Sequence, residues 1–244
     1  MIKMRSEENK KKTRSRSPIK KAQQFERILE AGKQLFLDKG RDGFSLRGLA
    51  KILDMNQNNL YNYVDSKREL WIAIRNKFYK QFKDENLGII ESHEGPNVDL
   101  LMKIFNHFFE FAENDFAASS MMHIIPSPPS DKVGKFEKEY KAFNFLDGTT
   151  RKIQEAINAG EIKESNSAML SFFIYSLILG ATIVENTMRS FENSNNYEGT
   201  NADETTQYKT QPFTSSEFRK YVIKKLELGL TDPNLIVKES DYKE

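Results

Sequence analysis

Apolar residues recur at helical spacing along almost the whole chain, and hardly any stretch keeps the period of two that a half-buried strand requires. The repeats are interrupted by strong helix breakers, namely Gly40, Gly95-Pro96, Pro126–Pro129 and Gly160. With 244 residues, 38 % of them hydrophobic, the chain is long enough to bury a substantial core. The pattern therefore predicts an all-α fold.

Helix-capping residues divide the first part of the chain into four predicted helices. Three of them cover residues 18–40, 46–53 and 57–63, and a long fourth helix starts at residue 67. Each follows a side chain that can accept a hydrogen bond from the first helical turn, namely Ser17, Ser45, Asn56 and Ser66. Glu69 forms a predicted capping box with Ser66, and Gly40 supplies the stop of the first helix.

The rest of the chain is predicted to be helical over residues 97–114, 115–125, 131–159, 167–191 and 215–230. Residues 1–16 carry seven Lys and Arg residues and almost no apolar residue, which predicts a disordered basic arm. Residues 192–212 are rich in Asn, Thr, Glu and Ser, which predicts a mobile polar loop. Residues 235–244 form a C-terminal tail.

Charge is distributed unevenly along the chain. Residues 1–80 contain 20 Lys and Arg against 9 Asp and Glu, a net charge of +11, whereas residues 81–244 have a net charge of −9. This asymmetry predicts a first part that faces a polyanion and an acidic body that the same polyanion repels. Composition alone does not distinguish nucleic acid from a membrane surface as that partner.

Side chains suited to covalent or metal chemistry are scarce. The chain contains no cysteine, and its three histidines, His93, His107 and His123, have no partners at a metal-ligand or catalytic-triad spacing. We therefore predict no enzyme activity, no metal and no cofactor. The lack of cysteine, and of an apolar run behind the basic N terminus, predicts a cytoplasmic protein.

One apolar stretch has the length of a membrane-spanning helix. Residues 165–184 carry no formal charge. Four serines, a threonine, an asparagine and a glycine dilute the stretch, and Glu185 and Arg189 follow it directly. We expect a helix buried on most sides in a bundle or a dimer, and no membrane anchor.

Residues 45–64 have the dimensions of a helix-turn-helix, with two short helices joined by a three-residue turn in the most basic part of the chain. In such a unit the first helix braces against phosphates and the second enters the major groove of DNA. The second helix offers side-chain amides that can both donate to and accept from an adenine edge, at Gln57, Asn58, Asn59 and Asn62. An ordinary helical corner with a solvated polar face has the same periodicity.

Three runs of sequence resemble the DNA-binding domain of TetR-family transcriptional regulators. They are Ala31-x-x-x-Leu35-Phe36-Leu37-Asp38-Lys39-Gly40, then Phe44-Ser45-Leu46-Arg47-Gly48-Leu49-Ala50, and then Asn59-Leu60-Tyr61-Asn62-Tyr63-Val64-Asp65-Ser66-Lys67-Arg68-Glu69-Leu70. The similarity covers about residues 20–72, and the segment Leu-Tyr-x-x-Val-x-Ser-Lys-x-x-Leu is its most specific part. One departure is Asp54, which occupies a turn position that the family commonly fills with glycine.

The resemblance implies an all-helical homodimer that binds a double-stranded DNA operator. Residues 17–66 form the implied helix-turn-helix DNA-binding domain, and residues 67–234 form the effector-binding and dimerisation domain. The implied DNA contacts are groove readers at Gln57, Asn58, Asn59 and Asn62, a base or phosphate contact at Arg47, phosphate and sugar contacts at Tyr61 and Tyr63, and a backbone clamp at Lys67. The basic arm either adds a DNA contact or is a solvated tail.

Aromatic and methionine residues in the body predict a pocket for a small apolar or aromatic effector. Leu101, Ile104, Phe105, Phe108 and Phe111 share one stripe of a predicted helix, and Phe109 lies beside it. The predicted ligand-binding residues are Phe105, Phe108, Phe109, Met121, Met122 and Tyr175. For any single one of these aromatic residues, plain core packing is the more common explanation. Among nearby polar residues, Asn144 is a candidate to orient a ligand, and His107 is expected to be structural.

The predicted helices over residues 167–191 and 215–230 are similar to the last two helices of the family, which implies a four-helix dimer interface. Its predicted residues are Phe172, Gly180, Phe218, Tyr221, Val222 and Leu226. A two-fold dimer with recognition helices about one DNA turn apart, roughly 34 to 36 Å, implies an inverted-repeat operator.

These features together predict a sequence-specific transcriptional regulator, and specifically a repressor that leaves its operator when a ligand binds the body. The sequence does not encode the sign of regulation. An activator, or a ligand-independent DNA-organising protein of the same fold, is therefore the alternative.

Overall fold

A computed structural model describes residues 17–142, 144–163, 166–194 and 212–232. Its helices are α1 (Pro18–Gly43), α2 (Leu46–Ile52), α3 (Gln57–Leu60), α4 (Lys67–Glu91), α5 (Asn97–Asn114), α6 (Phe116–His123), α7 (Lys135–Glu139), α8 (Asp147–Asn158), α9 (Ser167–Ser194) and α10 (Ser215–Thr231). The predicted all-α fold is confirmed. The predicted basic arm, C-terminal tail and residues 195–211 of the predicted polar loop lie outside the described residues.

The predicted N-caps are all formed. Ser17, Ser45, Asn56 and Ser66 each accept a hydrogen bond from a backbone N–H in the first turn of the helix that follows. At Gly40 the backbone leaves the helical conformation, with φ of 64° and ψ of −179°, so the predicted stop is a kink. Gly40 can adopt this positive φ because it has no Cβ atom. After the kink the chain is helical again as far as Gly43.

Three predicted helix boundaries are wrong. The predicted helix 131–159 is two helices, α7 and α8, and α7 ends where Tyr140 adopts an extended conformation, with φ of −69° and ψ of 121°. The third predicted helix ends at Leu60, three residues early, in a turn. In contrast, α9 continues beyond residue 191, so residues 192–194 of the predicted polar loop are helical.

One core packs the N-terminal helices together and continues into α4 and α6. Phe36, Leu49, Leu60 and Ile74 are fully buried in it. Helices α1 and α4 approach closely at Gly32, where a Cβ would lie 3.0 Å from the Ile74 Cδ1 atom. This core crosses residue 66, where the sequence predicts a domain boundary, and that boundary stays a prediction.

A second core lies between α5, α8, α9 and α10. Its buried side chains include Leu101, Phe105, Ile153, Ile174 and Leu226. Because α4 and α6 both also pack against α5, the body is joined to the N-terminal helices through packed helices.

Helix α9 is long and apolar enough, by length and composition alone, to cross a membrane over Ser167–Asn193, with a mean hydropathy of 2.0. Only 28 % of its most apolar window is buried in the single chain. Near its end, Glu185 is 3 % exposed and forms ion pairs with Arg189 at 2.6 Å and with Arg219 of α10 at 2.5 Å. This buried charge pairing joins α9 to the helical bundle.

Candidate functional site

The helix-turn-helix is built by α2, α3 and the turn between them. Asp54 adopts φ of 50° in this turn, a conformation that Asp tolerates better than most residues. The turn is closed by a 2.8 Å hydrogen bond from Met55 N–H to the Ala50 carbonyl. Leu49 and Leu60 are fully buried beneath it, so packing fixes the relative orientation of the two helices.

Most of the predicted DNA-contacting side chains lie on one exposed surface of this unit. Arg47, Asn58, Asn59, Tyr61 and Asn62 are exposed. Gln57 is half-buried and donates a 3.3 Å hydrogen bond from Nε2 to the Tyr61 hydroxyl. Lys67 is half-buried at the start of α4, with its Nζ 5.8 Å from the centre of the Phe44 ring.

The structure places Tyr63 differently from its predicted role as a phosphate or sugar contact. Its side chain is 6 % exposed, and its ring stacks on Phe25 of α1 with the ring centres 6.2 Å apart. The turn after α3 directs Tyr63 inward because the helix ends at Leu60. Tyr63 is therefore a core residue that positions the recognition helix.

Lys51 is a surface residue that the sequence reasoning did not select. It is exposed and lines a shallow groove between α2 and α3 together with Arg47 and Gln57. Its spacing of four residues from Arg47 puts both cations on one face of α2. That spacing was the available signal in the sequence.

Only half of the predicted capping box between Ser66 and Glu69 is formed, because the Glu69 carboxylate bonds other backbone groups than the Ser66 N–H. The Glu69 backbone N–H donates to the Ser66 hydroxyl at 3.0 Å, as predicted. The carboxylate, however, accepts hydrogen bonds from the N–H groups of Asp65 and Phe136, and Glu69 is fully buried. One side chain therefore holds both the loop after α3 and the first turn of α7.

The body contains a cavity of about 310 Å³ between α4, α5, α8 and α9. Its apolar walls include Phe82, Leu87, Ile104, Phe105, Phe108, Phe145, Ile174 and Ile178. This volume and lining are typical of sites for small amphipathic or apolar ligands.

Two polar side chains meet inside the cavity. His123 Nδ1 and the Tyr175 hydroxyl lie 3.0 Å apart. Burial, with a smaller contribution from the positive charge of Arg75, lowers the pKa of His123 to about 3. Burial also raises the pKa of Tyr175. At neutral pH both groups are therefore uncharged, and the pair offers hydrogen-bond donors and acceptors without a formal charge.

The rim of the cavity is basic. Lys83, Arg151 and Lys152 line the cavity together with the acidic Asp147, and Lys152 also pairs with Glu155 at 2.6 Å. The Oδ1 atom of Asn86, also in the lining, is buried and has no hydrogen-bond partner among the described residues. The cavity therefore combines apolar walls, a positive rim and an acceptor suited to a ligand N–H or O–H.

The structure brings together half of the predicted ligand-binding residues. Phe105, Phe108 and Tyr175 line the cavity, as does Asn144. Phe109, Met121 and Met122 are instead fully buried in core packing away from the cavity lining, and His107 lies outside it, 3.0 Å from Glu85. His123 lines the cavity but was not among the predicted ligand-binding residues. In the sequence, only its spacing from the aromatic residues could have indicated this position.

Five of the six predicted dimer residues line an open apolar groove between α9 and α10, and Phe172 is outside its lining. Gly180, Phe218, Tyr221, Val222 and Leu226 line this groove. Phe172 is 64 % exposed on the same helix α9. The groove walls also include Met169, Phe173, Leu177, Val184 and Leu230. Such a large exposed apolar surface is typical of a protein interface.

Metal ligation has no candidate in the described part of the chain. Over residues 17–142, 144–163, 166–194 and 212–232, no three His, Asp or Glu side chains are grouped so that they could hold an ion.

Residues 28–74 match the family model of bacterial regulatory proteins of the tetR family. The fold is similar to that of AibR in complex with isovaleryl coenzyme A and operator DNA, with a TM-score of 0.57 and 16 % identity over 86 % of this chain and 98 % of that chain. FadR from Bacillus subtilis in complex with stearoyl-CoA gives a TM-score of 0.57 at 15 % identity, over 84 % of this chain and 98 % of that chain.

A third similar structure is a putative fatty acid metabolism regulator from Clostridium perfringens, with a TM-score of 0.55 and 18 % identity over 87 % of this chain and 99 % of that chain. No curated protein is similar to the chain in sequence. The solved structures support the fold of the whole chain, and the family match covers its helix-turn-helix. Residues 28–74 therefore match the bacterial regulatory proteins of the tetR family, and the chain shares its fold with the solved regulators over more than four fifths of its length.

Proposed function

We propose that the protein is a repressor that binds an inverted-repeat operator as a homodimer and leaves it when an amphipathic ligand enters the cavity of the body. The observation that carries this proposal is the combination, in one chain, of an exposed recognition surface and a ligand-sized cavity with a basic rim. The ligand then lowers the affinity for the operator by the same factor by which the operator lowers the affinity for the ligand, since coupling between two binding sites is reciprocal.

The chemistry of the cavity favours one class of effector. Its apolar walls suit an acyl chain, the neutral pair of His123 and Tyr175 suits a carbonyl oxygen, and the basic rim suits phosphate groups outside the cavity. Asn86 Oδ1 suits an amide N–H between these two ends. We therefore propose an acyl-coenzyme A thioester, and the two solved structures that contain such thioesters support this choice.

The proposed dimer uses the groove between α9 and α10, with a second copy of the chain as its occupant. The two helices expose Phe172, Phe173 and Tyr221 by 64 %, 58 % and 62 %, which would be costly to leave in water. Two such faces packed together form the four-helix interface that the family resemblance implies.

The operator is the first target of experiment. We would select bound sequences from a random duplex pool with the full chain at near-physiological salt. Enrichment of an inverted repeat is the expected result. Salt-sensitive binding without enrichment would replace the proposal with that of a DNA-organising protein, because phosphate contacts alone give affinity without sequence preference.

The effector is tested with the selected operator. Acyl-coenzyme A thioesters of short, medium and long chains would be compared with free coenzyme A and with the matching free fatty acids. We expect release of the operator by thioesters alone. A matched pair of variants tests the two ends of the ligand separately. Lys152→Ala should weaken thioester binding by removing a cation from the rim, and Tyr175→Phe should weaken it by removing a hydroxyl from the interior. If free fatty acids released the operator as well as the thioesters do, the proposal that the rim binds phosphate groups would be wrong.

A further inference from the structure

A segment between the cavity and the DNA-binding helices contacts both. This segment, the strap, comprises the described residues 134–142 and 144–147. Its first part contains α7 and packs against the start of α4. Its last residues, from Asn144 to Asp147, form part of the cavity wall.

At the DNA-binding end the strap is held by a stack of aromatic rings and by an ion pair. The ring of Phe136 stacks on Phe25 of α1, with ring centres 5.5 Å apart and an angle of 8° between the rings. Phe25 stacks in turn on Tyr63, directly behind the recognition helix. Glu137 of the strap forms an ion pair with Arg68 of α4.

The Glu69 carboxylate joins the strap to the loop that follows the recognition helix. Its Oε1 atom accepts a 2.8 Å hydrogen bond from Phe136 N–H, and its other oxygen accepts from Asp65 N–H. Gly134 permits this approach, since a Cβ at that position would overlap the carboxylate. A shift of the strap therefore changes the environment of the one group that also fixes the loop after α3.

At the cavity end Arg75 of α4 contacts both the strap and the cavity wall. Its Nη1 donates to the Tyr140 hydroxyl at 3.4 Å, and its Nε and Nη2 donate to the Met122 carbonyl at 3.2 and 2.9 Å. The guanidinium also lies 5.5 Å from the centre of the Phe145 ring. Phe145 itself packs against His123, with ring centres 4.4 Å apart.

We propose that the strap transmits the state of the cavity to the recognition helix, through Phe145 and Arg75 at one end and Phe136 and Glu69 at the other. A ligand that displaces the Phe145 ring disturbs Arg75 and Tyr140, and α7 then shifts against Phe25 and Glu69. The strap is thus a physical connection whose two ends each contact one functional site. The direction of this effect rests on the function proposed above, but the coupling itself does not.

The test is a double-mutant cycle on operator affinity without any ligand. Phe145→Ala perturbs the cavity end and Phe136→Ala unfastens the DNA-binding end. We expect Phe145→Ala to change the operator Kd by about five-fold or more, within the range of ordinary allosteric couplings, and to have no effect when Phe136 is already alanine. Leu228→Ala is the control, because Leu228 is exposed on α10 and lies outside the cavity lining, the groove lining and the strap. Additive effects of the two strap substitutions would overturn the proposal.

Amide hydrogen exchange gives a readout that does not depend on an operator. Phe145→Ala should speed exchange at the amides of Asp65 and Phe136, which both donate to Glu69, whereas Leu228→Ala should not. Gly134→Ala should do the same from the other end, and circular dichroism checks that each variant is folded. If the wild type binds no operator, the proposed function is wrong, but the exchange rates still test whether the strap couples its two ends. Unchanged exchange in both strap variants would overturn the strap alone.

Discussion

The ammonium group of Lys33 in α1 pairs with the carboxylate of Asp115, which also caps α6 by accepting from Ala118 N–H at 2.8 Å. The Lys33 side chain is 5 % exposed, and its Nζ lies 4.6 Å from the centre of the Phe78 ring. Because α6 ends at His123 in the cavity wall, this pair is a second link between the DNA-binding helices and the body.

Asp115→Ala should destabilise the protein by about 2–4 kcal/mol. The substitution removes a helix cap and leaves the buried Lys33 with only the largely exposed Glu30, 2.5 Å away. Lys33→Met should cost less, because the Asp115 side chain is 31 % exposed and water can replace its partner. Chemical denaturation of both variants measures the difference. A larger loss in Lys33→Met would contradict this account of the pair.

Substitutions on the recognition surface should separate base reading from phosphate binding. Asn59→Ala should weaken binding to the preferred operator by about 1–3 kcal/mol and relax the preference at one base pair, since an amide reads a base edge. Lys51→Ala should weaken binding to all duplexes alike and reduce the slope of log affinity against log salt by about one.

Fluorescence anisotropy with the selected operator and a scrambled duplex, at several salt concentrations, measures both effects. Lys220→Ala, an exposed cation on α10, is the control and should leave the preference unchanged. If Asn59→Ala weakened both duplexes equally, the assignment of Asn59 as a groove reader would be wrong.

Local signals in the sequence were sufficient for the helix-turn-helix. Each predicted N-cap depends on a side chain and a backbone group two or three residues away, and the left-handed turn at Asp54 depends on one residue. Such short-range interactions form in almost any context that permits a helix, so the sequence pattern predicts them directly.

The strap and the cavity could not be predicted in the same way, because their determinants are distant in sequence. In the strap, Phe136 contacts Phe25 and Tyr140 contacts Arg75, and each pair joins residues that are far apart in the sequence. His123 and Tyr175 are 52 residues apart. Periodicity places a residue on a helix face, but packing decides which neighbour that face meets, so Phe109 and Phe108 could not be told apart.

The neutral state of His123 should make stability depend on pH. Its pKa in the folded protein is about 3, against 6.5 for the ordinary side chain. Below about pH 6.5 the unfolded chain takes up a proton at His123 that the folded chain does not bind, so the free energy of unfolding falls by about 1.4 kcal/mol per pH unit as the pH drops towards 3. Above about pH 7.5 this contribution to the pH dependence vanishes.

Comparison of the wild type with His123→Phe isolates this effect, because the other titrating groups are shared. Between about pH 7.5 and pH 5 the wild type should lose about 2 kcal/mol more than the variant in chemical denaturation. The variant also loses the hydrogen bond to Tyr175, but that loss is the same at both pH values. Parallel pH profiles of the two proteins would show that His123 titrates normally in the folded state.

A charge in the groove between α9 and α10 should separate the proposed dimer. Tyr221→Glu introduces a carboxylate at a side chain that is 62 % exposed in the single chain but would be buried against a second copy, where an unpaired charge is costly. We expect the variant to be monomeric at micromolar concentration by light scattering. Val133→Glu, at a side chain that is 59 % exposed away from the groove, should remain a dimer.

Loss of the dimer should also weaken operator binding by orders of magnitude, because each recognition helix would then bind its half-site without the effective concentration that its partner provides. The fold of the monomer should survive, since the buried side of α9 is formed by residues such as Ile174 and Ile178 that the substitution does not touch. A Tyr221→Glu protein that stays dimeric and binds the operator normally would place the interface elsewhere on the surface.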